Sequence, residues 1–93
     1  MKIIWTANAV AQFRSIRSYL FQHADEDVML NESKRIWTAT QRLKSFPHSG
    51  RPGRVPGTRE LVIPPYVLPY EVFEGVIYIL TVFHTSRAPF SRE

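Results

Sequence analysis

The sequence predicts an α+β domain in which a helical hairpin packs on a mainly antiparallel sheet, with the element order β-α-α-β-β-β. Apolar residues recur every three to four positions in the first half of the chain and form strand-like runs in the second half. The period changes across residues 48–57, which are rich in glycine and proline. With 93 residues, the chain is expected to form a single domain, 1–93.

A short strand and two helices are predicted before this loop. Residues 2–5 contain good strand formers, and Thr6 is a suitable N-cap for a helix from Ala7 to about His23. Asp25 is expected to begin a second helix, since acidic residues in the first turn interact favourably with the helix dipole. That helix is expected to run as far as Pro47, which ends it. Because so few residues separate the two helices, they should pair as a hairpin.

Each predicted helix carries an apolar stripe. The stripe of the first comprises Val10, Phe13, Ile16 and Leu20; that of the second comprises Val28, Ile36, Ala39, Leu43 and Phe46 and is broken by Glu32. We expect the two tryptophans, Trp5 and Trp37, to lie in the core together with Phe46.

Three strands are predicted after the loop, at residues 58–63, 66–73 and 76–84. Pro64-Pro65 separates the first two, and the Glu74-Gly75 turn joins the second and third as a hairpin. Pro69 requires a sheet edge or a bulge, because proline has no N–H to donate. Residues from 85 onward are expected to form a tail. Candidates to line the sheet face away from the helices are Tyr66, Tyr70, Glu71, Phe73 and Tyr78.

Positive charge is concentrated in one stretch of the chain. The formal net charge is +4, and residues 34–59 contain seven Lys and Arg residues and no acidic residue. Such a stretch attracts nucleic acid or an acidic protein, although a solvated basic surface explains it equally well. Cysteine is absent, which excludes disulfides and thiolate chemistry. No run of residues is apolar enough for a membrane span or a signal peptide, so a cytoplasmic location is expected.

Candidate catalytic groups flank the predicted sheet. Arg59 enters its first strand after the loop, and His84 and Arg87 leave its last. If those strand ends lie on the same side, guanidinium groups and an imidazole converge, a combination suited to phosphodiester cleavage with Glu60 as a conceivable base. The alternatives are that His84 is a packing or capping residue and that Arg59-Glu60 is an edge-strand charge pair. The histidines have no spacing typical of a metal site, and no metal or cofactor is expected.

The segment Arg51-Pro52-Gly53-Arg54-Val55-Pro56-Gly57-Thr58-Arg59-Glu60-Leu61 resembles the Gly-Arg … Gly-x-Arg-Glu-Leu signature of the RelE/ParE toxin superfamily. The runs at 66–72 and 76–84 resemble that superfamily's following strands, so the likeness covers roughly residues 3–87. It implies the toxin of a type II toxin–antitoxin module, which inhibits bacterial growth and is neutralised in a hetero-oligomer with a cognate antitoxin.

The resemblance implies one of two targets. RelE-like members are metal-independent endoribonucleases that cut messenger RNA on the ribosome, whereas ParE-like members inhibit DNA gyrase. This chain has Val67 where the nuclease branch commonly has arginine, and Thr85 where some nucleases have tyrosine. Whether it is an enzyme stays open at this point, and a third possibility is an inactivated toxin that still binds the antitoxin.

Site residues follow from the charge pattern and the resemblance together. The candidate catalytic residues are His84, Arg59, Arg87 and, more weakly, Glu60. The candidate nucleic-acid or target-binding residues are Arg51, Arg54, Lys44 and Tyr70, and the candidate antitoxin-binding residues are Arg42, Tyr66 and Tyr78.

Overall fold

Two helices and a mixed sheet make up the part of the chain that the structure, a computed structural model, describes, which is residues 1–87. In chain order the elements are β1 (Lys2–Trp5), α1 (Ala7–His23), α2 (Glu26–Arg42), β2 (Arg51–Pro52), β3 (Arg59–Ile63), β4 (Tyr66–Phe73), β5 (Val76–Ile79), β6 (Phe83–His84) and a 3-10 turn (Thr85–Arg87). The predicted tail is therefore structured at its beginning, and its remainder, 88–93, lies outside the described residues. The α+β fold class is confirmed.

Helix α1 has the predicted limits because a side chain closes its first turn. The Thr6 hydroxyl accepts a hydrogen bond from the Ala9 N–H (3.1 Å) and donates one to the Leu80 carbonyl (3.0 Å). The first contact satisfies an otherwise unpaired helical N–H. The second ties the beginning of the helix to the strand segment after β5.

Helix α2 begins as predicted and ends earlier than predicted. The Asp25 carboxylate accepts the Val28 N–H at 2.9 Å, as an N-cap does. The helix ends at Arg42 and not at Pro47, because the following N–H groups donate to the carbonyl three residues earlier and not four. The Leu43 N–H donates to the Thr40 carbonyl, and the Ser45 N–H donates to the Arg42 carbonyl. The chain then turns away, which brings the Pro47 carbonyl beneath the sheet residue Tyr70.

The sheet has the strand order β1-β5-β4-β3-β2, and β6 also pairs with β4. The pairs β2–β3, β3–β4, β4–β5 and β4–β6 are antiparallel, whereas β1 lies parallel to β5. Strand β2 falls inside the stretch predicted to be loop alone, which is a correction. The strand is two residues long and lacks a periodic apolar pattern, so the sequence carries no signal for it.

The third predicted strand, 76–84, is interrupted. It divides into β5 and β6, and residues 80–82 between them belong to neither strand, although the Leu80 N–H donates to the Pro69 carbonyl at 2.9 Å. Pro69 presents its ring nitrogen to the same side, where it has no hydrogen to donate. The prediction that Pro69 requires an edge or a bulge is therefore wrong, because Pro69 lies in a central strand, opposite a break in the neighbouring strand.

The core lies between the helices and one face of the sheet. Its fully buried members include Ile36 and Leu43 of the α2 region and Leu68, Ile77 and Ile79 of the sheet. Trp5 packs at the border of this core. The prediction that Trp37 and Phe46 are core residues is wrong.

Trp37 is 58% exposed and Phe46 is 66% exposed. The physical reason is helical phase. Ile36, Thr40 and Leu43 face the sheet, and Trp37 lies about 100° further around the helix than Ile36. Phe46 comes after the end of the helix, so its side chain does not continue the apolar stripe of α2.

Candidate functional site

A buried carboxylate joins the two short strands that carry the arginines. Arg51 and Glu60 are paired in register, and Arg51 Nε and Nη2 each lie 2.9 Å from Glu60 Oε1. Glu60 is 4% exposed, whereas the Arg51 side chain is about half exposed. The pair therefore fixes β2 against β3, and the carboxylate proposed as a base is engaged by its neighbouring guanidinium.

Arg59 is directed at backbone carbonyls. Its Nη1 donates to the carbonyl oxygens of His48 (3.1 Å) and Gly50 (2.7 Å). These bonds fix the loop that leads from α2 into β2. A guanidinium in this arrangement is held in place by the protein itself, which gives Arg59 an anchoring role in addition to its positive charge.

Tyr70 also anchors the loop between α2 and β2. It is fully buried, its hydroxyl donates to the Pro47 carbonyl (2.9 Å), and it accepts the Gly50 N–H (2.9 Å). A Cβ at Gly50 would lie 2.7 Å from the Tyr70 ring and 2.8 Å from the Glu60 carbonyl, so only glycine fits there. Burial leaves Tyr70 no surface to offer a target, and the structure does not support its predicted binding role.

Residues 51–59, here called the basic arm, follow this anchored loop. The Gly53 N–H donates to the Thr58 carbonyl (2.8 Å), and the Thr58 N–H donates to that of Val55 (3.0 Å), which closes a turn with Gly57 at φ +88°. Arg54 and Val55 are exposed at its tip. Between the arm and the sheet is a depression of about 320 Å³ whose lining includes His48, Thr58 and Arg59.

His84 lies at a different place, between the sheet and α1. Its Nδ1 accepts the Ser86 N–H (3.2 Å) and lies 2.7 Å from the Ser86 hydroxyl oxygen. The ring stands edge-on to Tyr66, with centroids 5.7 Å apart, beside a cavity of about 200 Å³ that Ser15 and Tyr19 also line.

The predicted catalytic residues do not converge. Arg59 is paired with Tyr70, and His84 is paired with Tyr66, on opposite sides of β4. Four residues along a strand and two strand spacings across the sheet separate the two Cα atoms by about 16 Å. In an up-down-up meander the start of the first strand and the end of the third lie at opposite ends. Arg87 contributes its backbone to the 3-10 turn, and its side chain lies outside the described part of the structure.

The predicted antitoxin-binding residues are also dispersed. Arg42 is exposed in the last turn of α2 and lines a groove beside β3. Tyr66 is 3% exposed and packs against His84, whereas Tyr78 is half-buried on the sheet face away from the helices.

Lys44, one of the predicted target-binding residues, is exposed just after α2, where its carbonyl oxygen lies 3.4 Å from the N-terminal nitrogen.

Exposed apolar side chains are the feature that sequence reasoning missed. Phe46 and Val62 line the same groove as Arg42, and Val62 is 41% exposed. Phe46 lies beyond α2 because the helix ends at Arg42, and the apolar stripe of the sequence does not mark that end. Among residues 1–87, no helix is long and apolar enough to cross a membrane. The described side chains also include no group of three potential metal ligands.

Comparisons with known proteins agree on one family. The model of the ParE toxin of the type II toxin–antitoxin system parDE matches residues 3–89. A putative toxin, Y4kP, from Sinorhizobium fredii is 41% identical over 88 residues, covering 92% of this chain and 90% of that protein. The toxin RelE2 from Caulobacter vibrioides is 30% identical over 86 residues, covering 92% and 97%.

A solved structure is similar along most of its length. It is described as the chromosomal ParDE TA system from P. aeruginosa, and it superimposes with a TM-score of 0.82 at 26% identity. The match covers 90% of this chain and 95% of that one.

Proposed function

Because this chain belongs to the ParE toxin family of type II toxin–antitoxin systems, we propose that it arrests growth by binding DNA gyrase and not by cutting RNA. The family and the ParDE neighbour support an antitoxin as its partner. Gyrase acts in the cytoplasm, so the proposal places the toxin there.

The separation of His84 from the arginines is the observation that carries this proposal. Metal-independent RNA cleavage needs a proton-transfer group and a charge-stabilising cation at one phosphate, each within hydrogen-bond distance of the reacting atoms. About 16 Å separates the Cα atoms of His84 and Arg59, and Arg59 is held on the carbonyls of the loop before β2. The described residues thus favour a surface for binding over a site for cleavage.

The basic arm is the surface that we assign to the target. The Arg51–Glu60 ion pair and the Arg59 hydrogen bonds hold both ends of the arm, so its tip is presented without a large ordering cost. Arg54 and Val55 at the tip offer a cation beside an exposed apolar side chain. That combination suits an acidic protein surface whose contacts are partly apolar.

Purified toxin and purified gyrase test the proposal in a supercoiling assay. We expect the wild-type chain to inhibit supercoiling, and Arg54→Glu to inhibit about tenfold less because it reverses the charge of the presented tip. Arg14→Glu, an equal charge change on the exposed surface of α1, is the matched control and should inhibit like the wild type.

Induced expression distinguishes the two targets in cells. We expect an SOS response, intact messenger RNA by primer extension, and growth arrest that persists in His84→Ala. Codon-specific messenger cuts that disappear in His84→Ala would instead establish a ribonuclease. An absence of growth arrest with folded wild-type protein would establish an inert antitoxin-binding module.

A further inference from the structure

The depression between the basic arm and the sheet carries a positive charge at Arg59. Its volume is about 320 Å³, and within residues 1–87 its lining consists of His48, Pro52, Gly57, Thr58, Arg59 and Val72. No acidic side chain of that part of the chain lines it. An anion that enters the depression therefore meets a guanidinium group and no opposing carboxylate.

The Arg59 guanidinium has hydrogen-bond donors to spare. Its Nη1 donates to the carbonyl oxygens of His48 (3.1 Å) and Gly50 (2.7 Å), whereas its Nε and Nη2 have no partner among residues 1–87. The N–H groups of Nε and Nη2 lie along one edge of the planar guanidinium. An arginine uses such an edge to bind both oxygens of a carboxylate or a phosphate.

This donor edge is fixed before a ligand arrives. The two carbonyl contacts orient the guanidinium plane, and the Tyr70 hydroxyl holds the loop that carries those carbonyls through its bonds to Pro47 and Gly50. A flexible surface arginine loses side-chain entropy when it binds an anion. Arg59 is half-buried and already held, so most of that loss occurs on folding and not on binding.

His48 supplies a third donor at the same place. Its carbonyl oxygen accepts from Arg59, and its exposed side chain lines the depression. A neutral imidazole has one N–H to donate in either tautomer. Pro52 and Val72 add apolar surface to the lining. The depression therefore suits a carboxylate on a short apolar stem, which is the chemistry of an aspartate or glutamate side chain.

We propose that the depression binds one aspartate or glutamate side chain of the gyrase surface that the basic arm contacts. Its carboxylate oxygens accept hydrogen bonds from Nε and Nη2 of Arg59 and from the His48 ring, and its methylene carbon packs against Val72. The inference rests on the proposed function, since gyrase supplies the carboxylate. It adds a defined anion site to the charge that Arg54 presents at the tip of the arm.

Nuclear magnetic resonance on the full chain tests the site without gyrase. Sodium acetate is the carboxylate probe, and it replaces sodium chloride at constant ionic strength. We expect a saturable shift of the Arg59 Nε–H resonance and no saturable shift for Arg14, an exposed arginine of α1. A shift at Arg59 that does not saturate, or that Arg14 shares, would overturn the proposal.

A second probe distinguishes a carboxylate from a phosphate group. Dimethyl phosphate carries the same single charge as acetate and represents the backbone of a nucleic acid. We expect it to bind no more tightly than acetate. Binding about tenfold tighter than that of acetate would assign the depression to a nucleic acid and overturn the choice of a protein carboxylate.

Supercoiling inhibition tests the role of the site in target binding. His48→Glu places a carboxylate of the chain itself beside Arg59, where it competes with that of the target, so inhibition should need about tenfold more of this variant. His48 is chosen because its side chain is exposed, whereas Arg59 also holds the loop. His23→Glu makes the same change at an exposed histidine at the end of α1 and should inhibit like the wild type.

The two proposals fail separately in this assay. A wild-type chain that does not inhibit supercoiling refutes the proposed function and, with it, gyrase as the source of the carboxylate. Inhibition by the wild type that His48→Glu and His23→Glu leave equally strong refutes only the anion site.

Discussion

The hydroxyl of Tyr70 should contribute a measurable part of the stability of this toxin. It donates to the Pro47 carbonyl and accepts the Gly50 N–H, both at 2.9 Å, beneath the loop between α2 and β2. Tyr70→Phe removes one atom and leaves the buried ring in place. Gly50 is itself buried, so its N–H then has neither this acceptor nor ready access to water.

The magnitude follows from the environment of the two bonds. A buried polar group that loses its partner costs about 1–3 kcal/mol. The bond to Gly50 is buried, and the bond to Pro47 is partly buried, so water replaces the second more readily. We expect the free energy of unfolding to fall by about 2–3 kcal/mol in total.

Equilibrium unfolding in urea measures this loss as a lower midpoint with an unchanged slope. Tyr78→Phe is the matched control, because it removes the same atom from a half-buried tyrosine outside this network. A loss below about 0.5 kcal/mol, or no greater than that of the control, would refute the anchoring role of Tyr70.

Three further predictions concern the core, a helix cap and the partner. Leu43→Ala removes a fully buried side chain and should lower the free energy of unfolding by about 2–5 kcal/mol, measured by thermal and chemical unfolding. Thr6→Ala should cost about 1–2 kcal/mol, since it removes the N-cap of α1 and its bond to Leu80; an unchanged midpoint would contradict this. Antitoxin affinity should decrease with added salt, because residues 34–59 carry seven cations; affinity independent of ionic strength would show a mainly apolar contact.

The sequence alone determined the helices and the central meander, because the features that predict them involve residues close together in the sequence. Thr6 and Asp25 act within one turn, and the apolar period of each helix requires only its own residues. The motif at 51–61 was also sufficient for a resemblance to the family that the comparisons show. The roles of the residues in this motif were harder to predict. Arg59 and Glu60 make contacts that hold β2 and the loop before it, and those contacts exist only after folding.

Tertiary structure alone decided where the candidate groups lie relative to one another. The loop after α2 is held by Tyr70, which is 23 residues beyond Pro47 and takes the carbonyl of that proline as its acceptor. The position of β1 beside β5 requires pairing between the two ends of the chain. The sequence supplied His84 and Arg59 as chemically suitable partners, but the strand directions place them at opposite ends of the sheet, because an antiparallel meander reverses the chain at every turn.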